Sequence, residues 1–316
     1  MNGKTDKIIN EIKKAVTGKD DVIKKVLMAI LSGGHILLED VPGVGKTTLA
    51  VAFSKALGIS YKRVQFTSDT MPSDVTGFSI YNKATNRFEY QSGPVMTNLL
   101  LADEINRTSS KTQAALLEVM EEKNVTVDGE THTLPEPFSV IATQNPVGSA
   151  GTQMLPASQL DRFTVRLKMG YPDFESQISI LKDRHTENPL DSIVAVADVG
   201  SLIEMQKETS AVFIGDEIYE YITRLAQATR NDEMIELGLS PRGALAVCRY
   251  AKACAYIHGR DFVVPQDIYE IFTSVCAHRI VMSRKARIAG ITAETELEKI
   301  LKEITPAPVV PMVDKR

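Results

Sequence analysis

Up to about residue 170, short apolar runs bounded by turn-forming residues alternate with stretches of helical periodicity, the pattern of a parallel sheet covered by helices. The spacing predicts strands at 35–39, 61–66, 99–103, 138–143 and 165–169. Continuous runs such as LLLAD predict burial on both faces, because a half-exposed strand would alternate apolar with polar residues. Two inserts interrupt the alternation. TGFSIYNKATNRFEYQSGPV, near 77–94, places an Asn- and Thr-containing centre between runs with aromatic residues and predicts a hairpin or long loop. NVTVDGETHTL, near 124–135, carries Asp128-Gly129, which suits the positive φ angles of a tight hairpin turn.

From about residue 188 the β-branched runs thin out, and VGSLIEMQKE, EIYEYITRLAQATR and PRGALAVCRYAKACAYI carry apolar residues at helical spacing. We therefore expect an α/β domain over 1–187 and a smaller all-helical domain over 188–316, the latter ending in an extended, proline-rich tail, ITPAPVVPMVDKR. A length of 316 residues is enough for two domains with separate cores.

Composition narrows the function classes. Hydrophobic residues at 43% and charged residues at 24% match a globular chain rather than a disordered one. No stretch reaches the roughly 20 apolar residues that span a bilayer. The N-terminus mixes charges every few residues, unlike a secretory signal, so a cytoplasmic location is expected. A net charge of -4 argues against nonspecific polyanion binding, although a local basic patch stays open. The three cysteines, Cys248, Cys254 and Cys276, lack CxxC spacing, and no metal cluster or disulfide framework is expected from them.

The chemistry begins after the first strand. HILLE runs into DVPGVGKTT and a helix, so that Gly43 and Gly45 let backbone N–H groups approach phosphate oxygens. Lys46 supplies a positive charge there, and the Thr47 hydroxyl suits Mg²⁺. Asp40 stands where the strict pattern has its first Gly, so the loop taken alone also reads as a glycine turn capping a helix. NLLLADEINR then ends a buried strand in adjacent carboxylates at the sheet edge where α/β folds bind ligands. Asp103 would hold Mg²⁺ through water, and Glu104 would orient or deprotonate the attacking water. A third strand, SVIATQN, ends at Asn145, whose amide suits contact with both a γ-phosphate and that water, or simply a turn before Pro146.

With these residues in order, the chain resembles the MoxR family of AAA+ ATPases, within their helix-2-insert group. The stretches AILSGGHILLEDVPGVGKTTLA, ADEINRTSSKTQAALLEVMEE, IATQNP, LPASQLDRF and SPRGAL carry the resemblance from about Gly18 to the last helices. It implies a P-loop AAA+ core with a five-stranded parallel sheet and two hairpin-like inserts, followed by a helical lid. By similarity, Val41, Pro42, Gly43, Val44, Gly45, Lys46, Thr47 and Thr48 form Walker A, Asp103 and Glu104 form Walker B, and Asn145 is sensor 1. Arg162 looks like an arginine finger reaching a neighbour's γ-phosphate, a role worth about 10³ to 10⁵ in rate in other NTPases. Read locally, Asp161-Arg162 is a surface ion pair. Arg242 in SPRG looks like sensor 2, or locally a charged first-turn residue. Gly18 and Lys19 match the adenine-packing position, with Lys in place of the more usual Gln.

The resemblance also implies ATP and Mg²⁺ as cofactors, a homo-oligomeric ring, usually a hexamer, and a protein client that is remodelled or matured. A partner carrying a von Willebrand factor A domain is implied by the family alone. The motor subunit of a metal chelatase, a nucleic-acid motor and a nucleotide-gated scaffold are the competing readings. Arg107 faces a neighbouring subunit or steadies its own loop. The insert aromatics Phe78, Tyr81, Phe88 and Tyr90 meet a substrate or pack the insert. Ser110 and Gln113 stand in capping-box spacing, and Glu118, Glu121 and Glu122 read as a solvated face.

Overall fold

A computed structural model describes residues 3–41, 43–145, 153–183 and 188–306. Two compact units divide the chain at Lys207 and Glu208. The first begins with α1 (Gly3–Lys13) and α2 (Asp20–Leu31), then β1 (Ile36–Glu39), α3 (Lys46–Leu57) and β2 (Tyr61–Gln65). The first insert follows as α4 (Pro72–Thr76), β3 (Gly77–Asn82) and β4 (Arg87–Ser92), leading to β5 (Leu99–Asp103) and α5 (Ser110–Glu122). Next come the second insert, β6 (Asn124–Val127) and β7 (Glu130–Thr133), and then β8 (Ser139–Gln144), α6 (Ala157–Leu160), β9 (Val165–Leu167) and α7 (Phe174–Asp183). The division between units falls within α8 (Val199–Ala211).

The five expected strands form one parallel sheet in the order β2-β5-β8-β1-β9. Its inner strands β5 and β8 are buried at every position, β5 through the uninterrupted apolar run LLLA and β8 through Val140–Ala142 together with the buried polar Ser139, Thr143 and Gln144. Leu99, Leu100, Leu101, Val140 and Ile141 are wholly buried. Each such side chain contributes roughly 1.5–3 kcal/mol relative to exposure. The strand β2 departs from the expectation. It lies at the sheet's edge, and its sequence YKRVQ leaves Lys62, Arg63 and Gln65 exposed.

Both inserts fold as antiparallel hairpins. Asp128 and Gly129 take φ of 50° and 84°, the left-handed conformations that a two-residue turn needs. Phe78, Tyr81 and Phe88 are exposed on the first hairpin, with Tyr81 edge-on to Phe88. Tyr90 instead stacks on His132 of the second hairpin, at a centroid distance of 3.9 Å, and donates its hydroxyl to the Thr76 carbonyl. One of the four insert aromatics therefore packs the inserts together. The expected cap of α5 shifts by one residue. Ser109, not Ser110, is the N-cap and accepts from the Thr112 N–H at 3.3 Å, while Gln113 turns inward to donate to the Ile105 and Gln153 carbonyls.

The segment after Asn188 belongs to the first unit, so the compact units divide later than the division at 187/188 read from composition. Hydrogen bonds to backbone carbonyls explain the difference. Lys55 Nζ donates to the Leu190 carbonyl at 2.7 Å, the Val196 N–H to the Ala56 carbonyl at 3.0 Å, and Gln206 Nε2 to the Ile30 carbonyl at 2.7 Å.

The second unit comprises α9 (Asp216–Asn231), β10 (Ile235–Leu237), α10 (Pro241–Ile257), α11 (Pro265–Cys276), β11 (Val281–Met282), α12 (Arg284–Ile288) and α13 (Ala293–Glu303). It is helical apart from the short antiparallel pair β10–β11. Cys254 and Cys276 pack in its core, and burial pushes the Cys276 thiol up to about 12. Donor atoms of Cys254, His258 and Asp267 lie within 4.8 Å of one another, but both Asp267 oxygens already accept from the Arg260 guanidinium. No helix among the described residues is long and apolar enough to cross a membrane.

His35, just before β1, is a buried hub. Its Nδ1 accepts the Val140 N–H and its Nε2 bonds the Met120 carbonyl, each at 3.1 Å, and its ring meets Phe138 edge-on. Burial holds the imidazole neutral, with its pKa lowered to about 4. The unfolded chain takes up this proton below about 6.5, whereas the folded chain resists until about 4, so stability falls as pH drops through that window. The contribution is about 3 kcal/mol. Urea denaturation of the wild type and His35→Phe should show the extra acid loss between pH 7 and 4 only in the wild type; equal slopes would show that His35 does not titrate in this way.

Candidate active site

The phosphate-type loop leaves β1 at Glu39 and enters α3 at Lys46. Gly43 and Gly45 hold φ of 87° and 96°, a conformation that β-carbon-bearing residues rarely adopt. A Cβ on Gly43 would meet nothing within 4 Å, so the glycine is required by conformation, not by space. Asp40 is not in that region of φ, which is why an Asp fits where the strict motif has Gly. Its Oδ1 accepts the Val41 N–H at 2.8 Å and its Oδ2 accepts the Gly170 N–H, tying the loop's start to the exit of β9. Pro42 lies outside the described residues.

Lys46 Nζ donates to the carbonyls of Asp40 (2.8 Å) and Val41 (3.3 Å). Burial lowers its pKa, and the fields of Asp103, Asp40 and Glu104 oppose that shift. Val44, Thr47 and Thr48 are half-buried; Thr47 and Thr48 lie in the first turn of α3. Thr47 and Asp103 offer the hard oxygen donors that Mg²⁺ takes, and the open space beside Gly43 suits a bound phosphate. The residues present thus fit a magnesium nucleotide.

The two acids are organised by a residue that the sequence pattern did not single out. Thr143, on β8 and wholly buried, donates its hydroxyl to Asp103 Oδ1 at 2.7 Å and accepts the Glu104 N–H at 2.8 Å. Glu104 adopts φ 57°, ψ 48°, a left-handed turn costing of order 1–3 kcal/mol for a residue with a side chain. Arg63 and Gln65, two residues apart on β2, reach the same place. Arg63 Nη2 donates to Asp103 Oδ2 and to Gln65 Oε1, both at 2.6 Å. Gln65 Nε2 and Arg107 Nη1 each donate to Glu104 Oε2 at 2.9 Å. Arg107 therefore steadies its own loop. The available signal was the i, i+2 spacing of two polar residues at the end of β2, and Thr143 two positions before Asn145.

Asn145 follows β8 directly, and its carbonyl accepts from Asn106 Nδ2 at 3.1 Å. Arg162, just past α6, donates through Nε to Glu121 Oε2 at 2.8 Å, so the face of α5 read as solvated has one ion-paired member. Gly18 has φ 70°, and a Cβ there would fall 2.1 Å from Ser176 Oγ, which leaves room for glycine only. Lys19 Nζ donates to the Tyr171 carbonyl at 2.8 Å. Arg242 lies in the second unit, in the first turn of α10 behind the N-cap Ser240.

Residues 35–165 match the family model described as ATPase family associated with various cellular activities, and residues 227–300 match the AAA lid domain. The uncharacterized protein YeaC of Bacillus subtilis is 47% identical over 306 residues, 97% of this chain and 94% of that one. Chaperone MoxR1 of Mycobacterium tuberculosis is 36% identical, covering 95% and 81% of the two chains. Protein MoxR of Methylorubrum extorquens is 31% identical, covering 94% and 93%. Among solved structures, a candidate ATPase from Cytophaga hutchinsonii superposes with a TM-score of 0.89 at 37% identity, over 96% of this chain and 95% of that one.

The replacement Thr143→Val keeps the side chain's shape and removes both hydrogen bonds. It should cost about 1–3 kcal/mol in chemical denaturation by leaving the Glu104 N–H and an Asp103 oxygen unpaired. A change below 0.5 kcal/mol, roughly the limit for surface substitutions, would mean that Thr143 does not organise the pair.

Proposed function

The chain belongs to the MoxR family of AAA+ ATPases, and from that premise we propose that it binds ATP with Mg²⁺ and hydrolyses it to ADP and phosphate. The observation that carries this reading is the convergence of three strand ends. Lys46 behind β1, the Asp103–Glu104 pair on β5 and Thr143 on β8 meet at one sheet edge, with both acids held by hydrogen bonds. In this mechanism the Walker A loop, Val41 to Thr48, cradles the phosphates, and Lys46 turns its charge from its own loop carbonyls to the nucleotide. Thr47 and Asp103 would hold Mg²⁺, and the ion would supply charge neutralisation at the transferring phosphoryl group. Glu104 accepts the proton of the attacking water, and Asn145 orients that water. Gly18 and Lys19 flank the adenine.

Arg162 completes the site of a neighbouring subunit in a homo-oligomeric ring, a hexamer by family, and Arg242 acts as sensor 2. Hydrolysis drives remodelling or maturation of a protein client, as the name of the mycobacterial chaperone suggests for that relative. A von Willebrand factor A domain partner and a cytoplasmic location belong to the same proposal. The nucleic-acid reading gains nothing from the second hairpin, NVTVDGETHT, which carries no Lys or Arg.

Replacing Glu104 with Gln should leave ATP affinity within about threefold while lowering turnover by roughly 10² to 10⁴, the scale of a lost general base. Nucleotide binding by fluorescence and phosphate release measure the two separately, and unaltered phosphate release removes Glu104 from catalysis. Captured with ATP, the same variant should retain the client.

Arg162→Ala should reduce turnover by about 10³ or more, in keeping with a lost arginine finger. Because a finger acts on the next subunit's site, mixing Arg162→Ala with Glu104→Gln subunits should restore part of the activity absent from either alone. A mixture as inactive as its components would place Arg162 outside the neighbour's site.

A further inference from the structure

Asp103 is a carboxylate at the end of a strand buried on both faces, and its side chain is only 12% exposed. Removing a charge from water is costly unless an opposite charge and hydrogen bonds replace the hydration. Lys46 does not touch Asp103, because its amine is held by the Asp40 and Val41 carbonyls. The cation in contact is Arg63, from the edge strand β2, at 2.6 Å. Its guanidinium is fixed at a second point by Gln65 Oε1, and Thr143 occupies the other Asp103 oxygen. Arg63 is 44% exposed, rooted on a strand whose outer side has no further neighbour in the sheet. A stem of this kind leaves a buried partner more readily than one packed on all sides.

On the basis of the nucleotide-binding reading above, we infer that Arg63 is a resident counter-ion of Asp103 that Mg²⁺ must displace. The guanidinium balances the charge of Asp103 and orients its carboxylate. A divalent ion held by the same carboxylate through water is repelled by a guanidinium on its neighbouring oxygen. Arg63 therefore leaves Asp103 as the metal nucleotide enters, and the phosphates give it a new anionic partner near the strand end. The exchange makes nucleotide binding more dependent on free Mg²⁺ than the donor oxygens alone would make it. Arg63 is a positioning residue in this scheme, and its effect is read in metal affinity.

The test is a titration of free Mg²⁺, buffered with EDTA, against the full-length protein with a fluorescent ATP analogue. Arg63→Met keeps the apolar stem and removes the charge. It should lower the half-saturating Mg²⁺ concentration by about threefold to tenfold, the range expected for loss of a partly exposed ion pair, without tightening binding in EDTA alone. Arg63→Lys, a single-point cation on a shorter reach, should fall between the two. A half-saturation that is unchanged or raised in Arg63→Met overturns the inference. If that variant does not fold, as judged by circular dichroism, Arg63→Lys decides, and wild-type magnesium dependence in it also overturns the inference. Failure of the wild type to bind the analogue at any Mg²⁺ concentration would instead overturn the nucleotide reading itself, so the two failures are distinguishable.

Discussion

Two neighbouring carboxylates at the end of a strand buried on both faces have lost most of their hydration, and the surrounding residues must replace it. Asp103 and Glu104 occupy that position at the end of β5. A buried ion without partners costs far more than a small domain can spare. Thr143, Arg63, Gln65 and Arg107 supply those partners from the two strands that flank β5 and from the loop that follows it. The strand order decides which residues are near enough to do so. With β5 between β2 and β8, the side chains at the ends of those strands converge on the acids.

The same constraint accounts for the character of the elements around the site. The strand β2 is polar because its Arg63 and Gln65 reach over to β5, and it lies at the edge, where polar stems are tolerated. Glu104 accepts a left-handed backbone because the Thr143 hydroxyl takes its N–H and two donors hold its carboxylate. Asp40 and Lys46 meet a related difficulty on the other side of β8. The loop's backbone N–H groups and carbonyls hold one carboxylate and one amine in place at the end of β1. Away from the site, the two inserts are joined by Tyr90 on His132, while Phe78, Tyr81 and Phe88 stay at the surface.

Much of this was legible along the chain. All five sheet strands fell within a residue or two of their expected bounds, most clearly β5, whose apolar run is uninterrupted and ends in Asp103, whereas β2, polar at Lys62, Arg63 and Gln65, has no such run. The hairpin at Asp128-Gly129 followed from the φ angles those residues permit. The N-cap of α5 was misplaced by one position, since Ser109 and Ser110 are both suitable and only the backbone path chooses between them. The later division between units depends on contacts of residues 190–206 with α2 and α3, and composition carries no trace of those contacts.

Local chemistry by itself determined which residues could serve the site: a glycine loop needing positive φ, a lysine after it, paired acids after an apolar strand, and an amide after another. Each depends on its near neighbours in the chain, so spacing reveals it. The partners of those groups were decided by tertiary structure alone. Arg63 and Asp103 are 40 positions apart, as are Thr143 and Asp103, and Arg162 and Glu121 are 41 apart. A hydrogen bond across such an interval depends on strand order and helix placement, which follow from the burial of the whole core. That is why the acids could be read from the sequence and the residues that hold them could not.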